Sequence, residues 1–83
     1  MEAEARQAAS RARRKQEQTA AALEAEILDL EAEQAEISQQ LENPKTYEDP
    51  GVAVKINRRA AEIAELLAEK TTTWEKAVEA LSS

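Results

Sequence analysis

Both prolines, the only glycine and the only tyrosine of this 83-residue chain fall within nine residues near its middle, NPKTYEDPG at positions 43–51. No Gly or Pro interrupts the residues before or after that stretch, so each flank is free to run as one helix. A residue that precedes proline avoids the α region. The first helix therefore ends at about Glu42 or Asn43, ahead of Pro44. Asp49 followed by Pro50 reads as a helix start. The carboxylate can accept from unpaired N–H groups, and proline suits the first helical position. Two helices joined by so short a connection lie antiparallel.

The flanks carry matching apolar stripes. Leu23, Ile27, Leu30, Gln34, Ile37 and Leu41 are spaced alternately by four and three residues before the turn. After it, Ile56, Ala60, Ile63, Leu67, Lys70, Trp74, Ala77 and Leu81 repeat the same spacing. Both are heptad seams of a coiled coil. Isolated helices this polar are weak, so each stripe needs a partner, and the turn supplies it by reversing the chain. The implied register sets Leu41 against Ile56, Ile37 against Ala60, Leu30 against Leu67 and Leu23 against Trp74. Leu66 and Val78 flank the second seam and widen it, whereas Leu28 has no obvious partner. Gln34 and Lys70 are polar seam positions that can fix alignment, with the Lys70 ammonium reaching out to water. The run of threonines at 71–73 lowers helix propensity beside Lys70 and marks a soft spot.

The expected fold is therefore all-α: an antiparallel two-helix coiled-coil hairpin with a short Pro-rich turn and an N-terminal helical extension. Helix 1 spans about 10–42, the turn 43–49 and helix 2 about 50–80. The second helix runs out opposite about Lys15, which divides the chain into a hairpin at 15–83 and an unpartnered, basic extension or linker at 1–14 that frays at its start.

Composition narrows the chemistry. Aromatics are 2% of the chain, with one Tyr, one Trp and no Phe, too few for a compact globular core. A chain rich in Ala, Glu, Lys, Leu and Arg is instead a long helix or coiled coil. There is no Cys and no His, which removes disulfides, thiolate sites and the commonest general base and zinc ligand. Neither a phosphate-binding loop nor a dinucleotide fingerprint is present. The many carboxylates form a solvated face, because paired carboxylates do acid–base work only in a desolvated pocket. No catalytic residue, cofactor site or metal site is expected in this chain. No apolar run approaches a membrane span, and the acidic first helix would be repelled by anionic lipid.

The net charge of −6 is uneven. Residues 1–22 carry five basic and three acidic side chains, net +2, whereas 23–83 carry six basic and fourteen acidic, net −8. Arg11, Arg13, Arg14 and Lys15, preceded by Arg6, concentrate the positive charge. Such a segment can neutralise phosphates without reading sequence, or it can be a solvated linker. Lys45 and Tyr47 at the tip offer a second contact: the ring can stack on a base or a partner, or cap the hairpin core near Leu41 and Ile56. Trp74, Leu30 and Leu67 are seam residues, and Pro44, Asp49 and Pro50 shape the turn.

The segment LEAEILDLEAEQAEISQQLENPKTYEDP, followed at distance by WEKAVEAL, resembles the C-terminal coiled-coil domain of ABC-F ATP-binding cassette proteins, in particular those of the Uup type. The resemblance covers about residues 10–81, and its most specific part is P-x-x-Y-x-D-P at the turn with W-E near the end of helix 2. It implies a non-catalytic C-terminal arm of a cytoplasmic ATPase. The ATP and Mg²⁺ would belong to cassettes upstream of this chain. It further implies contact with DNA, ribosomal RNA or the ribosome. Pro44, Tyr47, Asp49 and Pro50 match the family turn, Trp74 and Glu75 the second motif, and the residues at 11–15 the basic approach segment. The acidic balance of 23–83 directs any nucleic acid to the basic base of the hairpin or to the tip. The expected state is a monomer with at most weak self-association. A structural or oligomerising coiled coil without a nucleic-acid role is the alternative.

Overall fold

The computed structural model describes residues 2–82. Helix α1 (Glu2–Glu42) leads into a 3-10 turn (Pro44–Glu48) and then helix α2 (Pro50–Ser82). The molecule is a rod of 69 × 17 × 14 Å, the expected antiparallel hairpin. At about 1.5 Å per residue, α1 is ~62 Å long and α2 ~50 Å, so α1 overhangs at the open end. It is helical from Glu2, so the expected N-terminal helical extension runs on into helix 1 without a break. Ala, Glu, Arg and Gln dominate this part of the chain, and these are strong helix formers that need little help from packing. Helix α2 continues two residues past the expected residue 80.

The turn residues are occupied in closing two helix ends. The last carbonyls of a helix lack intrahelical partners. Here Gln40 O accepts from Asn43 N at 3.2 Å and from Thr46 Oγ1 at 2.5 Å. Leu41 O accepts from the Tyr47 hydroxyl at 2.6 Å. Asn43 is extended, and its side chain accepts from Lys45 N at 3.0 Å. Asp49, also extended, takes the N-cap role ahead of Pro50: its Oδ1 accepts from Gly51 N at 2.9 Å, and its carbonyl from Val52 N at 3.1 Å. A Cβ at Gly51 would stand 3.2 Å from that carboxylate oxygen, so glycine leaves room for the cap. Tyr47 is 53% exposed, and what fixes it is its hydroxyl on the last turn of α1. A phenol seeks an acceptor, and the open carbonyl at the end of α1 holds it at the surface.

The core is thin. Among the described residues only Ile63 is fully buried, at 0% exposure, with Ala20 and Ile37 at 7%. The other α2 seam positions, and the flanking Leu66 and Val78, are half-buried. So are Leu23, Ile27, Leu30 and Leu41 on α1. Gln34 does not keep its expected seam role: it is exposed, and Glu33 beside it is half-buried. An unpaired buried amide is unfavourable, and Gln34 makes no side-chain hydrogen bond among the described residues, so it stays in water. Glu33 instead meets Arg59 of α2 in a two-pronged pair, Nε to Oε2 at 2.5 Å and Nη2 to Oε1 at 3.0 Å. Lys70 extends from the seam to Glu26, Nζ to Oε2 at 2.6 Å, within one residue of the expected alignment. The threonine run stays helical: Thr72 and Thr73 donate to Ala68 O and Glu69 O, each at 3.0 Å.

Candidate interaction surfaces

The basic segment lies on α1 where α2 is running out. Arg6, Gln7, Ser10, Arg11 and Arg14 line one shallow open groove of about 410 Å³. Helical spacing explains the grouping, since residues three, four and seven apart share a face. The other two basic residues go elsewhere. Arg13 pairs with Glu17 one turn on, Nε to Oε1 at 3.3 Å. Lys15 turns to the open end of the hairpin, where a recess of about 540 Å³ also involves Ala12, Thr19, Lys76, Ala77 and Ala80. Lys76 was not singled out in the sequence. Carrying the register past Leu23 and Trp74 would have found it, because that alignment brings residues 76 and 77 beside residue 20. Ala20 was missed in the same way: it is one heptad step before Leu23.

The tip is a separate surface. Lys45 and Tyr47 are exposed there, together with Val52 and Val54 at 43% and 55% exposure. About 31 residues of α1 separate Arg11 from the turn, roughly 45 Å of helix, so the fold does not bring the tip and the basic segment together. Trp74, Leu30 and Leu67 are half-buried in the seam, and Pro44, Asp49 and Pro50 sit in the turn described above.

The electrostatics are those of a solvated rod with two ion pairs between its helices, Glu33 with Arg59 and Glu26 with Lys70. The Arg59 side chain, by donating to Glu33, holds that carboxyl below its ordinary range; partial burial opposes this, and the plain charge attraction adds to it. Arg59 is held correspondingly more firmly protonated, through its bonds to Glu33 and to Glu62. No charged side chain is buried among the described residues, so no carboxylate pair there sits in the desolvated setting that splits two pKa values. The described residues contain no group of three side chains placed to hold a metal ion. Among the described residues no helix is long and apolar enough to cross a membrane.

The chain has no significant match among curated proteins or among solved structures. A family model described as the ABC transporter C-terminal domain matches residues 11–78, which takes in the basic residues at 11–15, the turn and Trp74. An all-α hairpin whose specific residues serve to bend and cap it is in keeping with that match, and the chain belongs to the ABC transporter C-terminal domain family.

Proposed function

We propose that this chain is a non-catalytic interaction arm of an ABC-F ATPase of the Uup type, and that it contacts nucleic acid, DNA or ribosomal RNA, through its basic N-terminal segment. The parent protein is a cytoplasmic ATPase, with ATP and Mg²⁺ held by cassettes upstream of this chain. The observation that carries the reading is the grouping of Arg6, Arg11 and Arg14 on one face of α1, where the groove they line involves no residue of α2. The turn P-x-x-Y-x-D-P and the W-E of α2 support the subtype. Lys45 and Tyr47 provide a second, weaker contact at the tip, with the exposed ring available for stacking. The strongly acidic remainder repels phosphate and confines contact to the two ends of the rod.

A titration with duplex DNA and with structured RNA tests this. Three phosphates neutralised by Arg6, Arg11 and Arg14 give a slope of log K against log salt of about −2.7. Affinity then falls roughly 40-fold between about 50 and 200 mM salt. Reversing the charge at Arg11, Arg13, Arg14 and Lys15 abolishes binding. If neither nucleic acid binds at low salt, the nucleic-acid role is wrong.

A further inference from the structure

The two ion pairs that cross between the helices each set a cation of α2 on a carboxylate of α1, Arg59 on Glu33 and Lys70 on Glu26. The open end of the hairpin breaks this pattern. There the cation of α2 is Lys76, and it lines the same recess of about 540 Å³ as Lys15 of α1. No carboxylate lines that recess, and neither lysine forms an ion pair among the described residues. Two ammonium groups on one recess repel each other, and no lining side chain of opposite charge offsets the cost. The rest of the lining is small or neutral: Ala77 and Ala80 leave room, and Gln16 offers an amide donor. The Thr19 hydroxyl is already committed as a donor to Lys15 O, at 3.0 Å. Such a recess suits one anion that carries several oxygens.

We infer that Lys15 and Lys76 hold one backbone phosphate between the two helices, so that the nucleic-acid surface runs from the overhang of α1 onto α2. The inference rests on the nucleic-acid reading above and extends it to the second helix. Arg11 and Lys15 are four residues apart and therefore neighbours on the surface of α1. Arg11 borders the basic groove and Lys15 the recess. A strand whose phosphates follow Arg14 and Arg11 thus continues over Lys15 to Lys76. A lysine acts as a point charge on a flexible stem, without the fixed fork of an arginine, so two of them from different helices can adjust to one phosphate. Further along the hairpin the next cross-helix cation, Lys70, is taken by Glu26, and the phosphate path ends at the recess. The clamp exists only in the closed hairpin, because its two lysines belong to different helices. Nucleic acid therefore stabilises the closed form by linkage.

Titrating the chain with duplex DNA at several salt concentrations tests this. The groove arginines alone give the slope of about −2.7, and a fourth phosphate takes it to about −3.6, a loss of roughly 150-fold between about 50 and 200 mM salt. Lys76→Gln returns the slope to about −2.7 and lowers the affinity roughly tenfold at about 50 mM salt. Lys15→Gln does the same, and the double variant loses no more than either single one, because both side chains serve one phosphate. Arg58→Gln, an equal change of charge at an exposed position elsewhere on α2, leaves the slope unchanged. Both lysines are exposed, and unchanged helix content by circular dichroism shows that the variants fold. In the free chain Lys76→Gln leaves the Tm unchanged or slightly higher, since it removes a repulsion, whereas added DNA raises the Tm of wild type by more than that of the variant. A free-chain Tm lowered by Lys76→Gln makes the lysine a structural residue and counts against the clamp. If Lys76→Gln binds with the wild-type slope and affinity while charge reversal at Arg11 and Arg14 abolishes binding, the inference is wrong and the nucleic-acid reading stands. Losses that add in the double variant overturn the inference too, in favour of two separate contacts. A wild-type chain that binds neither duplex DNA nor structured RNA at low salt overturns both.

Discussion

Replacing Ile63 by Ala probes the hairpin where its core is concentrated. Ile63 is the one side chain at 0% exposure among the described residues, and the register places it between Leu30 and Ile37 of α1. The substitution removes three carbon atoms, about 0.8 kcal/mol each as transferred area, or ~2.4 kcal/mol. A residual cavity adds to this, within the range of about 2–5 kcal/mol seen for buried Ile→Ala changes. In a two-helix rod the walls of a cavity can partly collapse, so about 3 kcal/mol is expected. For a chain of this size a loss of 1 kcal/mol lowers the Tm by about 4–8 °C, so the midpoint falls by ~12–24 °C. Thermal and urea melts followed by circular dichroism at 222 nm measure this. Leu28→Ala, at a residue 59% exposed, serves as the reference and shifts the midpoint by at most a few degrees. Equal shifts for the two variants would refute the assignment of the core to the α1–α2 seam.

Three other changes read different parts of the structure. Leu30→Ala and Leu67→Ala, at half-buried seam positions, each destabilise by roughly 1–2 kcal/mol, less than a fully buried leucine would; a melting curve unmoved by both would show that the seam is misplaced. Tyr47→Phe removes the donor to Leu41 O and destabilises by about 0.5–1.5 kcal/mol; an unchanged Tm means that water serves that carbonyl equally well. The Glu33 carboxyl is lowered by its bonds to Arg59, so its contribution is present above the unfolded value of about 4.3 and is lost as pH falls through the lower folded value. Wild type therefore loses Tm on acidification below about pH 5 more steeply than Glu33→Gln, and parallel curves for the two proteins would count against the pair.

Much of this architecture is legible in local sequence because its causes are local. Pro44 and Pro50 break the helix wherever they stand, and Asn43 and Asp49 cap through their own side chains. The four–three spacing on α2 marks a buried face that the fold uses from Ile56 to Leu81. Lys70 was legible as a snorkelling side chain because its seam position and its length are both written in the sequence. Tyr47 was not, since its place depends on a carbonyl that opens only when α1 ends.

The sequence by itself determined that the chain is two helices, where it bends and which stripe each helix buries, because backbone restriction at proline and the period of apolar residues act on neighbours along the chain. Only the tertiary structure decided which charges meet between the two helices. The pairing of Glu33 with Arg59 and of Glu26 with Lys70, the exposure of Gln34, and the place of Lys15 beside Lys76 at the open end of the hairpin all follow from how α2 lies along α1. That alignment joins residues 26 to 44 positions apart, and no local rule carries so far.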